Sequence, residues 1–129
     1  MPGRERMMPS TTTSRLQRGQ VVVVGVPFTD GTGIKLRPAV IVSAERFHRR
    51  LSDVIVCPIS SQPRYFQKPG PGDRPLRKWS AAGLRYPSTA RVSNILAIEK
   101  SLVRRRLGRL APEDLGNLDS TLREALGLS

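Results

Sequence analysis

The stretch QVVVVGVPF at residues 20–28 decides how the rest of the chain is read. Four consecutive valines, Val21 to Val24, are stiff at χ1 and suit a pleated surface better than a helix, so the segment reads as a buried strand. Gly25 and Pro27 predict a bulge or bend near its end. TDGTGIKL at 29–36 then carries the Asp-Gly and Gly signals of a hairpin-type loop. PAVIVS at 38–43 is a second strand, which Pro38 can open because the ladder loses little there. Arg37, immediately before that proline, is pushed toward extended geometry. A polar stretch with Glu45 to Arg50 leads to a third strand, DVIVCPI at 53–59. Apolar strands this close together, joined by turns, indicate antiparallel pairing and not a parallel α/β sheet.

Outward from this core the pattern changes. PRYFQKPGPGDRPLRK at 63–78 is rich in Pro, Gly and cations and is expected to be a long surface loop without regular structure. Order resumes with Trp79 to Leu84, a turn at Arg85, Tyr86 and Pro87, a strand at Ser88 to Val92, and another at Asn94 to Ile98. Near the end, Leu115, Leu118, Leu122, Ala125 and Leu126 mark one face of a helix. Pro112 and acidic residues open it and Gly127 stops it, and the helix is expected to pack on the strands. The fold class expected is mainly β, an antiparallel barrel or sandwich with a C-terminal helix.

At 129 residues the chain has room for one domain. Its 22 Lys and Arg against 10 Asp and Glu give a net charge of +12, which suits a polyanionic partner. The charge is uneven: residues 112–129 hold four acids against Arg123, net −3, so residues 1–111 carry +15. Between 64 and 91 seven cations face only Asp73. No run approaches the ~18 apolar residues of a membrane span, so the protein is expected to be soluble and cytoplasmic. Residues 1–17 lack the apolar core and cleavage pattern of a secretory signal and read as a disordered basic tail, with the folded domain at 18–129.

One cysteine and one histidine leave little for a disulfide framework, a multi-cysteine zinc site or a Ser-His-Asp triad. Gly31 and Gly33 lack the Gly-Lys-Ser/Thr and following helix of a phosphate loop and read as a turn. Cys57, inside an apolar run, reads as a small buried hydrophobe. His48 reads as an exposed loop or short-helix residue, and Trp79 as a core or loop-base residue. Arginines and hydroxyls remain as the candidates for chemistry.

These residues resemble the MazF/PemK toxin family. The resemblance runs over about 18–128. It rests on Arg18 to Val24, Val26 to Ser43 with its Arg37-Pro38 step, and Val54 to Ser61. Gly83 to Ser88 and Ser101 to Leu110, with Arg104 to Arg106, complete the series. It implies an SH3-like barrel with added strands and a C-terminal helix. It also implies the toxin of a type II toxin-antitoxin pair: a homodimeric, metal-independent endoribonuclease that needs no cofactor and cuts single-stranded mRNA. The implied partner is a cognate antitoxin with a disordered acidic tail, through which alone operator DNA is reached. A related branch poisons gyrase, but it depends on a C-terminal Trp, and here the single Trp is at 79.

RNA carries its own nucleophile, the 2′-hydroxyl. A metal-free ribonuclease therefore needs a proton acceptor, cations for the phosphorane charge and a group that protonates the leaving 5′-oxygen. By resemblance Arg37 is the catalytic arginine, Ser60 the assisting hydroxyl after the third strand, and Arg91 a second clamp. Family members carrying this second arginine have an acid two residues on, where this chain has Ser93, so the general base is unassigned and a binding module without catalysis is the alternative. Thr32, Lys35, Ser61, Gln62, Arg64 and Ser93 are expected to bind substrate. The 29–36 and 63–78 loops are the expected carriers of sequence preference. Within the second, Tyr65 and Phe66 either stack on unpaired bases or close the end of the barrel.

Overall fold

The computed structural model describes residues 16–28 and 30–129. The tail expected at 1–17 lies outside the described residues except for Leu16 and Gln17, and these two are part of the packed domain. Leu16 is 2% exposed inside an apolar cluster, and Arg109 donates to the Gln17 side chain.

The strands are β1 (Gln20–Pro27), β2 (Ile34–Ile41), β3 (Asp53–Ser60), β4 (Asp73–Pro75), β5 (Thr89–Arg91), β6 (Leu96–Glu99) and β7 (Val103–Arg109). The helices are α1 (Glu45–Arg49), α2 (Pro63–Gln67) and α3 (Pro112–Leu126). All pairings are antiparallel, in the order β4-β5-β3-β2-β1-β7, with β6 added to β3. The mainly β expectation with a C-terminal helix holds, although the hydrogen-bonded order does not return on itself.

Both faces of the central strands are covered, which is why they read as nearly continuous apolar runs. Alternate residues feed two cores. Val21, Val40, Cys57 and Ile59 join Leu76, Ala90 and Leu118 beneath α3. Val22, Val24, Ala39, Ile41, Val54 and Val56 join Ile98 and Val103 on the other side. The expected hairpin loop is present: Phe28 N–H donates to the Gly33 carbonyl at 2.8 Å, and Gly31 has φ +75.

Helix α3 begins at Pro112 and ends at Gly127, whose left-handed φ of 71 lets Leu128 N–H reach the Arg123 carbonyl at 2.8 Å. Leu115, Leu118 and Leu122 pack on the sheet as expected. The last two members of the apolar series do not: Ala125 is exposed and Leu126 is 55% exposed. Two polar ties hold the helix. Asp114 accepts Arg77 and Lys78 N–H at 2.9 and 2.8 Å. Arg18 bonds Asp119 and donates to the Val42 carbonyl.

Three expectations need correction, and one element had no sequence expectation, the strand at 103–109. The 63–78 segment is not an irregular loop: Pro63 opens α2, Asp73–Pro75 forms β4, and Leu76 is fully buried. The basic run 104–109 is an edge strand, β7, whose backbone pairs with β1 while its arginines at 104–106 stay exposed. The irregularities in β1 pairing lie on that side, where Leu107 and Arg104 are extra residues, and not at Gly25, which pairs regularly with Leu36. A Cβ on Gly25 would instead meet Ile34 at 2.7 Å. Finally, His48 lies in α1 but is only 2% exposed.

The Ser43 hydroxyl accepts Ile55 N–H at 3.1 Å and lies 3.1 Å from His48 Nδ1, a hydrogen bond whose direction is set by the imidazole tautomer. Burial holds the imidazole below its ordinary 6.5, helped by Lys100 and Arg49 and opposed by the Leu16 backbone and Glu45. Above the unfolded pKa both states are neutral and nothing is lost. Below it the unfolded chain takes up the proton first, so this contribution to stability declines as pH falls through 6.5 toward the lower folded value. Urea midpoints measured from pH 7.5 to 5 should therefore fall, and His48→Gln should flatten part of that slope; an unchanged slope contradicts the assignment.

Gly83 and Gly108 allow the 79–84 turn to cross β7. A Cβ on Gly108 would meet the Ala82 carbonyl oxygen at 2.5 Å, whereas one on Gly116, inside α3, meets nothing within 4 Å. Gly108→Ala should lower stability by about 1–3 kcal/mol and Gly116→Ala should raise it by about 0.5–1 kcal/mol. Urea denaturation of both variants checks the opposite signs.

Candidate functional site

The site is built where β3 parts from β2 while its other edge runs on against β5. Its middle pairs with β2 as far as Ala39↔Pro58. From Ile59 it pairs with β5, with Ser60 opposite Thr89. The first half of β2, Ile34 to Arg37, has β1 as its ladder partner and, among the described residues, no ladder partner on the β3 side. The gap is a cleft of about 240 Å³ with apolar walls from Val24, Val26, Val56 and Leu96 and polar groups from Arg37 and Asn94. Arg37 is exposed and has no ion-pair partner among the described residues. Strand alternation returns Arg37 and Ser60 to the face that carries Ala39 and Pro58.

Ser60 ends β3, and its Oγ accepts Gln62 N–H at 3.2 Å. That leaves the hydroxyl proton to donate outward. Thr89, opposite it, is fully buried with an unpartnered Oγ1.

Arg91 is held from two sides. Its Nε donates to Asp73 Oδ1 at 2.9 Å across the β4–β5 ladder. Its guanidinium carbon lies 3.7 Å from the Tyr65 ring centroid. Asp73, with a 5% exposed side chain, also accepts Gly70 N–H at 2.9 Å. A flat guanidinium fixed through Nε and one face presents its remaining N–H groups as a fork for phosphate or carboxylate. Asp73 was not among the candidates from sequence. It supplies the carboxylate beside Arg91 that position 93 lacks, from a strand 18 residues away.

Ser93 is not brought to Arg37. Strand β5 ends at Arg91, and a 3₁₀ turn over Val92–Asn94 breaks the two-residue alternation that paired Arg91 with Ser93. Ser93 faces a hollow bordered by Gly72, Thr121 and Glu124 on the α3 side. Asn94, another residue missed from sequence, enters the Arg37 cleft instead.

Of the remaining candidates, Thr32 is engaged locally: its hydroxyl and N–H both donate to Asp30 Oδ1, at 2.7 and 3.0 Å. These bonds hold the Asp30 carboxyl below its ordinary value, the side-chain bond first. Lys35 is exposed on β2 opposite Val26. Ser61 and Gln62 are exposed after β3. Arg64 donates to the Tyr65 hydroxyl at 2.8 Å and lies over the same ring as Arg91, at 4.7 Å. Arg37, Ser60 and Arg91 share no hydrogen bond or ion pair with one another among the described residues. Cys57 is fully buried, and burial pushes its thiol up to about 12, so it is no nucleophile.

The fold is shared with known structures. The chain resembles a Mycobacterial endoribonuclease solved in complex with its cognate antitoxin: 21% identity, 88% of this chain and 96% of that one covered, TM-score 0.72. The Mycobacterium tuberculosis toxin MazF-mt6 is 21% identical over 84% of this chain and 98% of its own, with TM-score 0.65. MazF in a MazE-MazF complex from Deinococcus radiodurans is 18% identical over 88% and 97%, with TM-score 0.69. At these identities the likeness establishes the fold. No curated protein sequence matches the chain. The model of the family described as PemK-like, MazF-like toxin of type II toxin-antitoxin systems matches residues 17–126, nearly the full length, and the chain belongs to that family.

Proposed function

We propose that the chain is a metal-independent endoribonuclease that cleaves single-stranded mRNA and so arrests growth, and that Arg37, Ser60 and Arg91 carry the reaction. The observation that supports this most is Arg91 braced on Asp73 and Tyr65, on the strand that pairs with Ser60, together with Arg37 exposed at an apolar-walled cleft. Arg91, with a 22% exposed side chain, interacts with phosphate more strongly than a guanidinium in open water.

The 2′-hydroxyl oxygen attacks the adjacent phosphorus, forming the new P–O bond and giving up its proton. The bond from phosphorus to the 5′-oxygen breaks, and that oxygen takes up a proton. The products are a 2′,3′-cyclic phosphate and a 5′-hydroxyl. Arg37 stabilises the charge that builds on the phosphorane oxygens, Ser60 donates to a phosphate oxygen, and Arg91 clamps the adjoining strand. Asp73 acts through Arg91 and is a positioning residue. Thr32, Lys35, Ser61, Gln62 and Arg64 line the path of the strand. The working form is a homodimer in the cytoplasm. A cognate antitoxin with an acidic tail occupies the same cationic surface, as the complementary charge favours, and operator DNA is reached through that antitoxin.

Purified protein in EDTA should cut single-stranded RNA to cyclic-phosphate ends, and Arg37→Ala should reduce kcat about 10²–10³-fold. Asp73→Asn should slow cleavage in the wild-type background and add nothing to Arg91→Ala. Wild type that binds RNA without product sinks the reading and leaves a binding module, whereas Arg37→Ala that cleaves as fast as wild type removes Arg37 from the reaction.

A further inference from the structure

The phosphate chemistry above makes no use of the groove beside α2. Ser61, Pro63, Phe66, Gln67, Tyr86 and Pro87 line a hollow of about 600 Å³, within the range of pockets that hold small organic groups. Its walls are largely apolar, and the Tyr86 ring is 60% exposed. That ring stands on a rigid turn: Ser88 Oγ donates to the Tyr86 carbonyl at 2.7 Å, and Pro87 fixes its own φ. The polar groups are the Gln67 amide and the Ser61 hydroxyl, both exposed. An amide presents a donor and an acceptor side by side, the pattern of a nucleobase edge. The rim is cationic, with Arg77 lying 5.6 Å from the Phe66 ring centroid and Arg64 and Lys68 exposed on α2 and at its end.

The structure also separates the two neighbouring aromatics. Tyr65 already carries Arg64 and Arg91 against its ring, so it braces the clamp. Phe66 and Tyr86 are the rings that face the groove. The groove begins at Ser61, one residue beyond Ser60, so a strand whose phosphate sits at Ser60 has its next base within reach.

We infer that this groove is a base-recognition subsite: an unpaired nucleobase of the RNA strand stacks on Tyr86, with its edge against Gln67 and Ser61 and flanking phosphates beside Arg64 and Arg77. This rests on the reading of the chain as acting on RNA. Stacking supplies affinity and the amide supplies preference among bases.

The test is binding of a fluorescent 2′-O-methyl RNA oligonucleotide, which has no free nucleophile to be cleaved, alongside copies in which one abasic site is moved along the strand. Wild type should show one position where loss of the base weakens binding roughly 5- to 150-fold. Tyr86→Ala should bind the intact strand with the same loss and show no further loss at that position, while Tyr86→Phe should bind as wild type does. Because Tyr86 is exposed, the variants fold, and a thermal melt checks this. Losses that multiply, or intact-RNA affinity unchanged in Tyr86→Ala, overturn the subsite; unchanged RNA affinity with weakened binding of an acidic peptide assigns the groove to a protein partner. Wild type that shows the coupling but cannot cleave unmodified RNA removes the nuclease reading alone. Wild type that cleaves without the coupling removes the subsite alone.

Discussion

The end of the β2–β3 ladder at Pro58 is the constraint from which the rest of the structure follows. Strand β3 holds β2 along one edge as far as Pro58 and takes β6 and then β5 in succession along the other, so beyond Pro58 only the β5 edge stays paired. The departure leaves half of β2 unpaired on one side and opens the cleft at Arg37. On the opposite edge Ser60 lies against β5, and β5 in turn carries β4, which brings Asp73 to Arg91. A sheet with complete ladders would hold the same residues and have no cleft between them.

Charge is organised around this opening. The exposed cations of β2, α2 and β7 face outward, while two carboxylates are taken inside and used as acceptors. Asp73 receives a backbone N–H and a guanidinium, and Asp114 receives two backbone N–H groups that fasten α3 to the 76–78 turn. Each buried acid is satisfied by hydrogen bonds, as its removal from water requires. The terminal helix is thus acidic partly because one of its acids is an internal cap for the segment that leads from β4 toward β5.

What was legible in the sequence was whatever burial writes into side-chain type. The valine-rich β1, the β2 and β3 runs and the Leu115, Leu118, Leu122 face of α3 expose their packing directly, and Gly127 marks the stop. The motif likeness rests on these same segments. Strand β7 was not legible, because an edge strand is held by backbone bonds and its arginines at 104–106 report solvent. The 63–78 segment hid a helix and a strand because Pro63 at a first helical turn and Pro75 on a three-residue edge strand are permitted where prolines usually signal a loop. Arg91, Ser60 and Arg37 could be named from motif likeness, but their supports could not. Asp73 reaches Arg91 through a ladder, Asn94 replaces Ser93 because of a 3₁₀ turn, and His48 is buried beside Leu16 and Ser43. Each of these depends on tertiary geometry that no local pattern records.

The central claim is that a scissile phosphate sits between Arg37 and Ser60 with Arg91 beside it. The most direct measurement is a crystal structure of the full chain with a 2′-O-methyl RNA oligonucleotide. One phosphate is expected within hydrogen-bond distance of both the Arg37 guanidinium and the Ser60 hydroxyl. RNA lying along β7 or elsewhere, with the Arg37 cleft free of phosphate, would contradict it.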